Sequence, residues 1–343
     1  MTHSTAIDLF AGAGGATQGL ADAGFAVLAA VESDAPSSDS YRANHPRVRL
    51  VESDIRHVDP EALRVELGLE RGELTLLKAC PPCQGYSSIG KGDPDDPRND
   101  LVADVWRFAR VFRPRAVMLE NVPGLARDDR LLKLVRQLRA VSYSTKTYLV
   151  DATEFGVPQR RRRLIVIAVR GGQVALPGSL VELLPEWFTN GGLRTAGEAL
   201  ALTSRVDPAS DLLHRSRASS AKVRERLRAL PVGGTRFDLP TRHQLGCHSR
   251  LDRRDATASY GRVDCDAPAP TMTTRCTTPA CGQFVHPTEP RALTLREAAT
   301  IQTFPLSYTF TGGPGQIERQ IGNAVPVRMA HGLALCTLSL IAA

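Results

Sequence analysis

Seven short apolar runs, each set off by polar or amphipathic stretches, fill the first half of this chain: residues 6–10, 26–31, 48–51, 74–79, 116–119, 147–150 and 164–169. Runs of this length bounded by turn residues read as strands buried on both faces. The stretches between them leave room for crossover helices, so consecutive strands should lie mostly parallel with helices on both sides. The fold class that follows is α/β, a doubly wound, mostly parallel sheet with a smaller second domain.

After Arg170 the alternation gives way to Gly-Gly, scattered Pro and a long arginine-rich stretch that includes Arg205, Arg215, Arg217, Arg224, Arg226, Arg228, Arg236, Arg242, Arg250, Arg253 and Arg254. Within it Ser220 can cap a short helix whose Val223, Leu227 and Leu230 share a face, ended by the Pro-Val-Gly-Gly at 231–234. Helical periodicity returns at 293–299 and 328–341, and the end of the chain is expected to pack back on the first domain. The expected division is 1–172, 173–305 and a returning segment, 306–343.

The 343-residue chain carries a formal charge of +7 and a pI near 9.2, with most of the positive charge on Arg, which favours a polyanionic partner. No stretch approaches the roughly 18 apolar residues of a membrane span, and the first residues run directly into a strand pattern. A cytoplasmic protein with no membrane partner is expected, and a monomer. The seven cysteines are odd in number and widely spread, which argues against a disulfide framework. Cys265, Cys276 and Cys281 with His243 and His248 lack the paired short spacing of a structural zinc site, so no metal is expected. Cys80-Pro-Pro-Cys83 has the form of a redox C-x-x-C, but a thioredoxin-like domain is much smaller and carries that motif near its start.

The first strand leads into Asp8-Leu9-Phe10-Ala11-Gly12-Ala13-Gly14-Gly15 and then a helix, the strand, glycine turn and helix of a nucleotide pocket. Thr17 stands where a dinucleotide fingerprint has its third Gly, which disfavours NAD and favours a cofactor without a pyrophosphate. Glu32, about 20 residues beyond Gly12, is placed to accept two ribose hydroxyls. Asp54, beside Ile55 after the third strand, could receive an adenine amino group.

Two further strands end in Pro81-Pro82-Cys83-Gln84-Gly85 and in Glu120-Asn121-Val122, both at the carboxyl edge where open α/β sheets bind ligands. Taken in order, DLFAGAGG from Asp8, PPCQGYSS from Pro81, ENV at Glu120, QRRRR from Gln159, RALTLREAATIQTFP from Arg291 and QIGNAVP from Gln320 resemble the DNA (cytosine-5) methyltransferase family, bacterial type, over nearly the whole chain.

The resemblance implies a fold of the S-adenosylmethionine-dependent methyltransferase type. Its cofactor would be S-adenosyl-L-methionine, released as S-adenosyl-L-homocysteine, within reach of Phe10, Gly12, Gly14, Glu32, Asp54, Ile55, Pro81, Asn323 and Val325. Carbon 5 of cytosine is too poor a nucleophile to attack a sulfonium methyl unaided, so a soft nucleophile must first add at carbon 6. Cys83 fits that role, and Glu120 is the acid at ring nitrogen 3, protonated or sharing its proton with that nitrogen. In QRRRR alternate side chains face one way; the family pattern points Arg161 at the cytosine 2-oxygen and Arg163 at Glu120, with Arg160 and Arg162 outward. Cys80 occupies a position where the family commonly has a small residue, usually Gly; oxidative pairing with Cys83 is taken as incidental. Residues 84–99, rich in Gly, Asp, Pro and Ser, resemble the family's loop that closes over flipped DNA.

Double-stranded DNA is then the partner, read by an arginine-rich target-recognition domain in which most guanidiniums neutralise phosphate. A separate cognate restriction endonuclease is a second expected partner, since no nuclease motif stands in this chain. The branch of the family that methylates tRNA carries a Cys-Phe-Thr motif in its second domain, and this sequence has none. A non-catalytic descendant would tolerate loss of Cys83 or Glu120, and both are present.

Overall fold

The structure is a computed structural model and describes residues 4–82, 96–171, 174–246 and 258–342. Internal contacts divide the chain into two units: unit 1 comprises Met1–Phe155, Arg162–Gly191 and Val325–Ala343, and unit 2 comprises Gly156–Arg161 and Gly192–Ala324.

Unit 1 holds a sheet of seven strands, β1 (Thr5–Leu9), β2 (Ala26–Glu32), β3 (Arg49–Glu52), β4 (Leu76–Ala79), β5 (Ala116–Asn121), β6 (Tyr143–Asp151) and β7 (Arg162–Arg170), in the order β3-β2-β1-β4-β5-β7-β6. Each apolar run of the sequence forms a strand. β1, β2, β3, β4 and β5 pair in parallel, whereas β7 is antiparallel to both β5 and β6. The parallel crossovers are made by α1 (Gly15–Asp22), α2 (Ala35–Asn44), α3 (Pro60–Glu66), α4 (Asp104–Phe112) and α5 (Asp129–Ala140). The apolar face of α4 buries Val105, Phe108 and Phe112 against Leu77, Val117 and Leu119 of the sheet, in the main core of the unit.

After β7 the chain stays with unit 1 until Gly191, beyond the expected boundary at residue 172, because this segment runs beside β6. Val174 N donates to Ser144 Oγ at 3.0 Å and Tyr148 Oη donates to Pro177 O at 3.2 Å. A short α6 (Glu186–Thr189) follows. At the other end the seam falls after Ala324, so the returning segment is mainly one helix, α11 (Val327–Ala342). It packs against α1 at Gly19, where a Cβ would overlap Val327 O and come within 2.6 Å of His331 N and 2.7 Å of Ala330 Cβ. Residues 314–342 are apolar enough by length and composition to cross a membrane, but the run breaks before α11 and 61% of its most apolar window is buried inside the protein. Burial against α1 accounts for that hydropathy.

Unit 2 contains α7 (Ala196–Thr203), α8 (Ala221–Arg228), α9 (Leu295–Ile301) and α10 (Pro314–Asn323) with much irregular chain between them. Irregular backbone leaves carbonyls without ladder partners, and here buried guanidiniums supply the donors. Arg226 Nε donates to His243 O at 2.8 Å, and Arg262 donates to Leu230 O at 3.1 Å, Pro287 O at 3.0 Å and Leu227 O. Arg236 is only 1% exposed, so the arginine-rich stretch is in part internal scaffold; Arg205, Arg217, Arg224, Arg228 and Arg242 are exposed, while Arg250, Arg253 and Arg254 lie outside the described residues.

Candidate active site

At the carboxyl edge of β1 the chain turns through left-handed conformations at Phe10 (φ 60), Gly12 (φ 57) and Gly14 (φ 93) before α1 begins. A Cβ on Gly12 would meet nothing within 4 Å, so its backbone borders open space. Glu32, at the end of β2, braces this turn: Oε2 accepts from Gly12 N at 2.7 Å, and Oε1 accepts from Ser33 N and Asp34 N, each at 2.8 Å. Burial pushes its carboxyl up, against the opposing pull of these three N–H groups.

Beneath the turn lies a network that no motif of the sequence announces. Lys78 Nζ of β4, 2% exposed, stands 2.8 Å from Asp8 Oδ1 of β1. Thr17 Oγ1 donates to Asp8 Oδ2 at 2.8 Å and lies 3.0 Å from Tyr41 Oη, which must donate to it because the threonine proton is already used. Thr17 therefore serves the acid of the first strand where a dinucleotide site would need Gly. Burial works against the charge on Lys78, yet Asp8, with a smaller contribution from Glu120, holds its ammonium above the ordinary range. A lysine inside the apolar run Leu76-Leu77-Lys78-Ala79 is the signal that could have revealed it.

Glu120, near the end of β5, is 4% exposed, with one neighbour at each oxygen. Arg163 Nε of β7 lies 2.8 Å from Oε1, and Cys80 Sγ donates to Oε2 at 2.8 Å. Burial first, and then the Glu120 carboxylate, push the Cys80 thiol well above its usual range, so it keeps its proton. The neighbouring Asn121 fixes the start of the next segment: Nδ2 donates to Pro81 O at 2.9 Å and Oδ1 accepts from Val122 N at 2.8 Å. Cys83 and the loop through residue 95 lie outside the described residues.

Asp54 caps a helical turn and pairs with Arg56 at 2.5 Å, which holds its carboxyl down at about 2. Ile55 is buried in the main core of unit 1, and Val325 packs with Ala16, Ala330 and Cys80. In unit 2, Asn323 ends α10 and is exposed. Arg161, 3% exposed, donates to Met272 O at 2.9 Å, Gly322 O at 3.1 Å and Ala324 O at 3.0 Å, so its guanidinium clamps three main-chain carbonyls. Arg160 and Arg162 are exposed on either side of it. Among the described residues no three His, Cys, Asp or Glu side chains gather as metal ligands.

Known proteins share both the sequence and the architecture. The family model for C-5 cytosine-specific DNA methylase matches residues 4–336. Type II methylase M.HgiDII of Herpetosiphon aurantiacus is 32% identical over 96% of this chain and 93% of its own length. Type II methyltransferase M.PspPI of a Psychrobacter species is 34% identical over 94% of this chain and 76% of its own length. Among solved structures, a DNA modification methyltransferase encoded within an E. coli prophage superposes with a TM-score of 0.71 at 24% identity, covering 99% of each chain. The S. pombe Dnmt2 methyltransferase superposes with a TM-score of 0.65 at 15% identity, covering 96% of each.

Proposed function

The chain belongs to the family of C-5 cytosine-specific DNA methylases, and as a DNA (cytosine-5-)-methyltransferase, we propose, it acts on a cytosine flipped out of a specific double-stranded sequence, through a covalent bond from Cys83 Sγ to carbon 6. The observation that carries this reading is the buried Glu120 carboxyl at the carboxyl edge of the sheet, with the Arg163 guanidinium 2.8 Å from one oxygen and the Cys80 thiol donating to the other.

The turn after β1 fits an adenosyl nucleoside. Gly12 borders open space, the left-handed turn brings main chain to it, and Glu32 is fixed by three N–H groups with lone pairs left for a ribose diol. Phe10, Gly14, Asp54, Ile55, Pro81, Asn323 and Val325 complete the set assigned to the cofactor. S-adenosyl-L-methionine supplies the methyl group there and leaves as S-adenosyl-L-homocysteine.

The chain's own residues do the rest. Cys83 Sγ bonds to carbon 6, and the charge that builds on ring nitrogen 3 is met by the Glu120 proton, so that carbon 5 becomes nucleophilic. After carbon 5 has been methylated it releases its proton to water, the C5–C6 double bond re-forms as the S–C6 bond breaks, ring nitrogen 3 returns its proton to Glu120 and the Cys83 thiolate is restored. Arg163 positions Glu120 throughout. Arg161 serves the site indirectly, by tying the segment at Met272 to the end of α10.

Unit 2 is assigned to target recognition, its exposed arginines to phosphate and its buried ones to holding the irregular chain together. The Type II names of the relatives suggest a separate cognate restriction endonuclease, and the proposal places the enzyme in the cytoplasm as a monomer. Bisulfite sequencing of plasmid DNA from cells expressing the chain tests the whole reading. Protected cytosines at one recurrent sequence are expected; uniform conversion at every site would defeat it.

A further inference from the structure

We propose that Cys80 is a positioning residue for Glu120: its thiol fixes one carboxyl oxygen and thereby sets the orientation in which the acid meets ring nitrogen 3. The proposal rests on the assignment of Glu120 as the acid at ring nitrogen 3.

Two groups from two different parts of the sheet meet on one carboxyl, an ion pair at one oxygen and a hydrogen bond at the other. Arg163 Nε of β7 is 2.8 Å from Oε1, and Cys80 Sγ, just past the end of β4, donates to Oε2 at 2.8 Å. The thiol supplies the hydrogen bond that resists rotation of the carboxyl about its last bond, and an acid that must meet a ring nitrogen depends on that orientation. The thiol is itself confined. Ala16 of α1 with Val325 and Ala330 packs against Cys80 on its apolar side, which leaves the S–H aimed at Glu120.

The charged groups around the pair come from each neighbouring strand: Asp8 from β1, Lys78 from β4 and Arg163 from β7. Lys78 is paired with Asp8 at 2.8 Å, so the groups that meet Glu120 directly are the arginine, as an ion pair, and the thiol, as hydrogen-bond donor. Burial and the adjacent carboxylate keep the thiol protonated, which makes Cys80 a donor and unfit as a nucleophile. Removing that hydrogen bond should loosen the orientation of the Glu120 carboxyl.

The test is kcat and KM for methyl transfer to duplex DNA in the wild type, Cys80→Ala, Cys80→Ser and Glu120→Gln, with thermal melting of each. Cys80→Ala should lower kcat about tenfold and leave KM for DNA nearly unchanged. Cys80→Ser, whose hydroxyl restores a donor, should return kcat toward wild type. Cys80→Gly carries the same test should the Ala variant not fold. Wild-type kcat in the Ala or Gly variant would overturn the proposal. So would equal losses of kcat in Ala and Ser, since that is packing alone. Full kcat in Glu120→Gln would instead overturn the assignment of the acid on which the proposal rests.

Discussion

Arg163 lies diagonally across an antiparallel strand pair from Glu120. Glu120 of β5 faces Ile165 of β7, and Arg163, two residues earlier, points to the same side, with Nε 2.8 Å from Oε1. Because β7 runs against the other strands of the sheet's centre, its first residues stand at the carboxyl edge, beside the last residues of β4 and β5. A parallel β7 would have carried the same arginine to the opposite edge. The reversal of one strand is therefore what lets a basic run at 160–163 serve an acid at 120.

Cys83 should form an adduct that becomes trapped when the target cytosine carries fluorine at carbon 5, because the final elimination needs a proton to leave that carbon. Cys83→Ser should abolish both adduct and methylation while DNA binding persists. Denaturing gel electrophoresis with fluorinated duplex and S-adenosylmethionine reads this directly; a shifted band that survives in Cys83→Ser would show that another nucleophile acts.

The Lys78–Asp8 pair makes a prediction about stability. Removing one partner strands a buried charge, so Lys78→Met should cost about 3–5 kcal/mol, and adding Asp8→Asn should recover part of that. The lysine's folded-state value is raised, so its contribution is complete below about pH 10, near the unfolded value, and is lost as pH rises through the folded one. Urea unfolding of wild type and Lys78→Met should accordingly converge as pH climbs beyond that range, and a gap that stays constant would contradict the pairing.

Glu32 offers a test of the cofactor turn. Glu32→Gln cannot accept from three N–H groups as a carboxylate does, and it weakens any bond to a ribose diol; titration calorimetry should show S-adenosylmethionine binding reduced about 10- to 100-fold. Unchanged affinity would remove Glu32 from the site.

Arginines of unit 2 should separate by exposure. Replacing exposed Arg224, Arg228 or Arg242 with Gln should lower the log–log salt slope of DNA binding by about 0.9 for each phosphate that the arginine neutralises, with little change in melting temperature. Buried Arg226→Gln should do the reverse, lowering stability by about 1–3 kcal/mol with the slope retained. If Arg226→Gln shifts the slope as the exposed variants do, the division fails.

Much of unit 1 is legible in the sequence because its signals are local. Apolar runs at strand length and the glycine turn after Asp8 report buried strands and a ligand-facing bend regardless of what surrounds them. The antiparallel β7 is not legible: residues 164–169 are as uniformly apolar as the parallel strands, and direction leaves no mark on such a run. The Cys80–Glu120 contact joins residues 40 apart in sequence, and nothing in either neighbourhood announces it. Arg226 and Arg236 look like their exposed neighbours in the sequence, yet they face carbonyls and apolar chain inside unit 2, and only the packing distinguishes scaffold from surface.

The docking of α11 on α1 has a consequence for how the molecule is made. The helix that follows the glycine turn keeps Gly19 bare so that α11 can lie against it, but α11 leaves the ribosome about 150 residues after β7 is finished. At roughly 5–20 residues per second, that is on the order of ten seconds or more in which the nascent sheet waits with one helix uncovered. Until then α1 presents Ala16 and Leu20 without their partner helix, a sticky surface of the kind that holding chaperones bind. A nascent chain stalled inside unit 2 would leave that surface open, and so would be marked for clearance rather than released as a half-active enzyme.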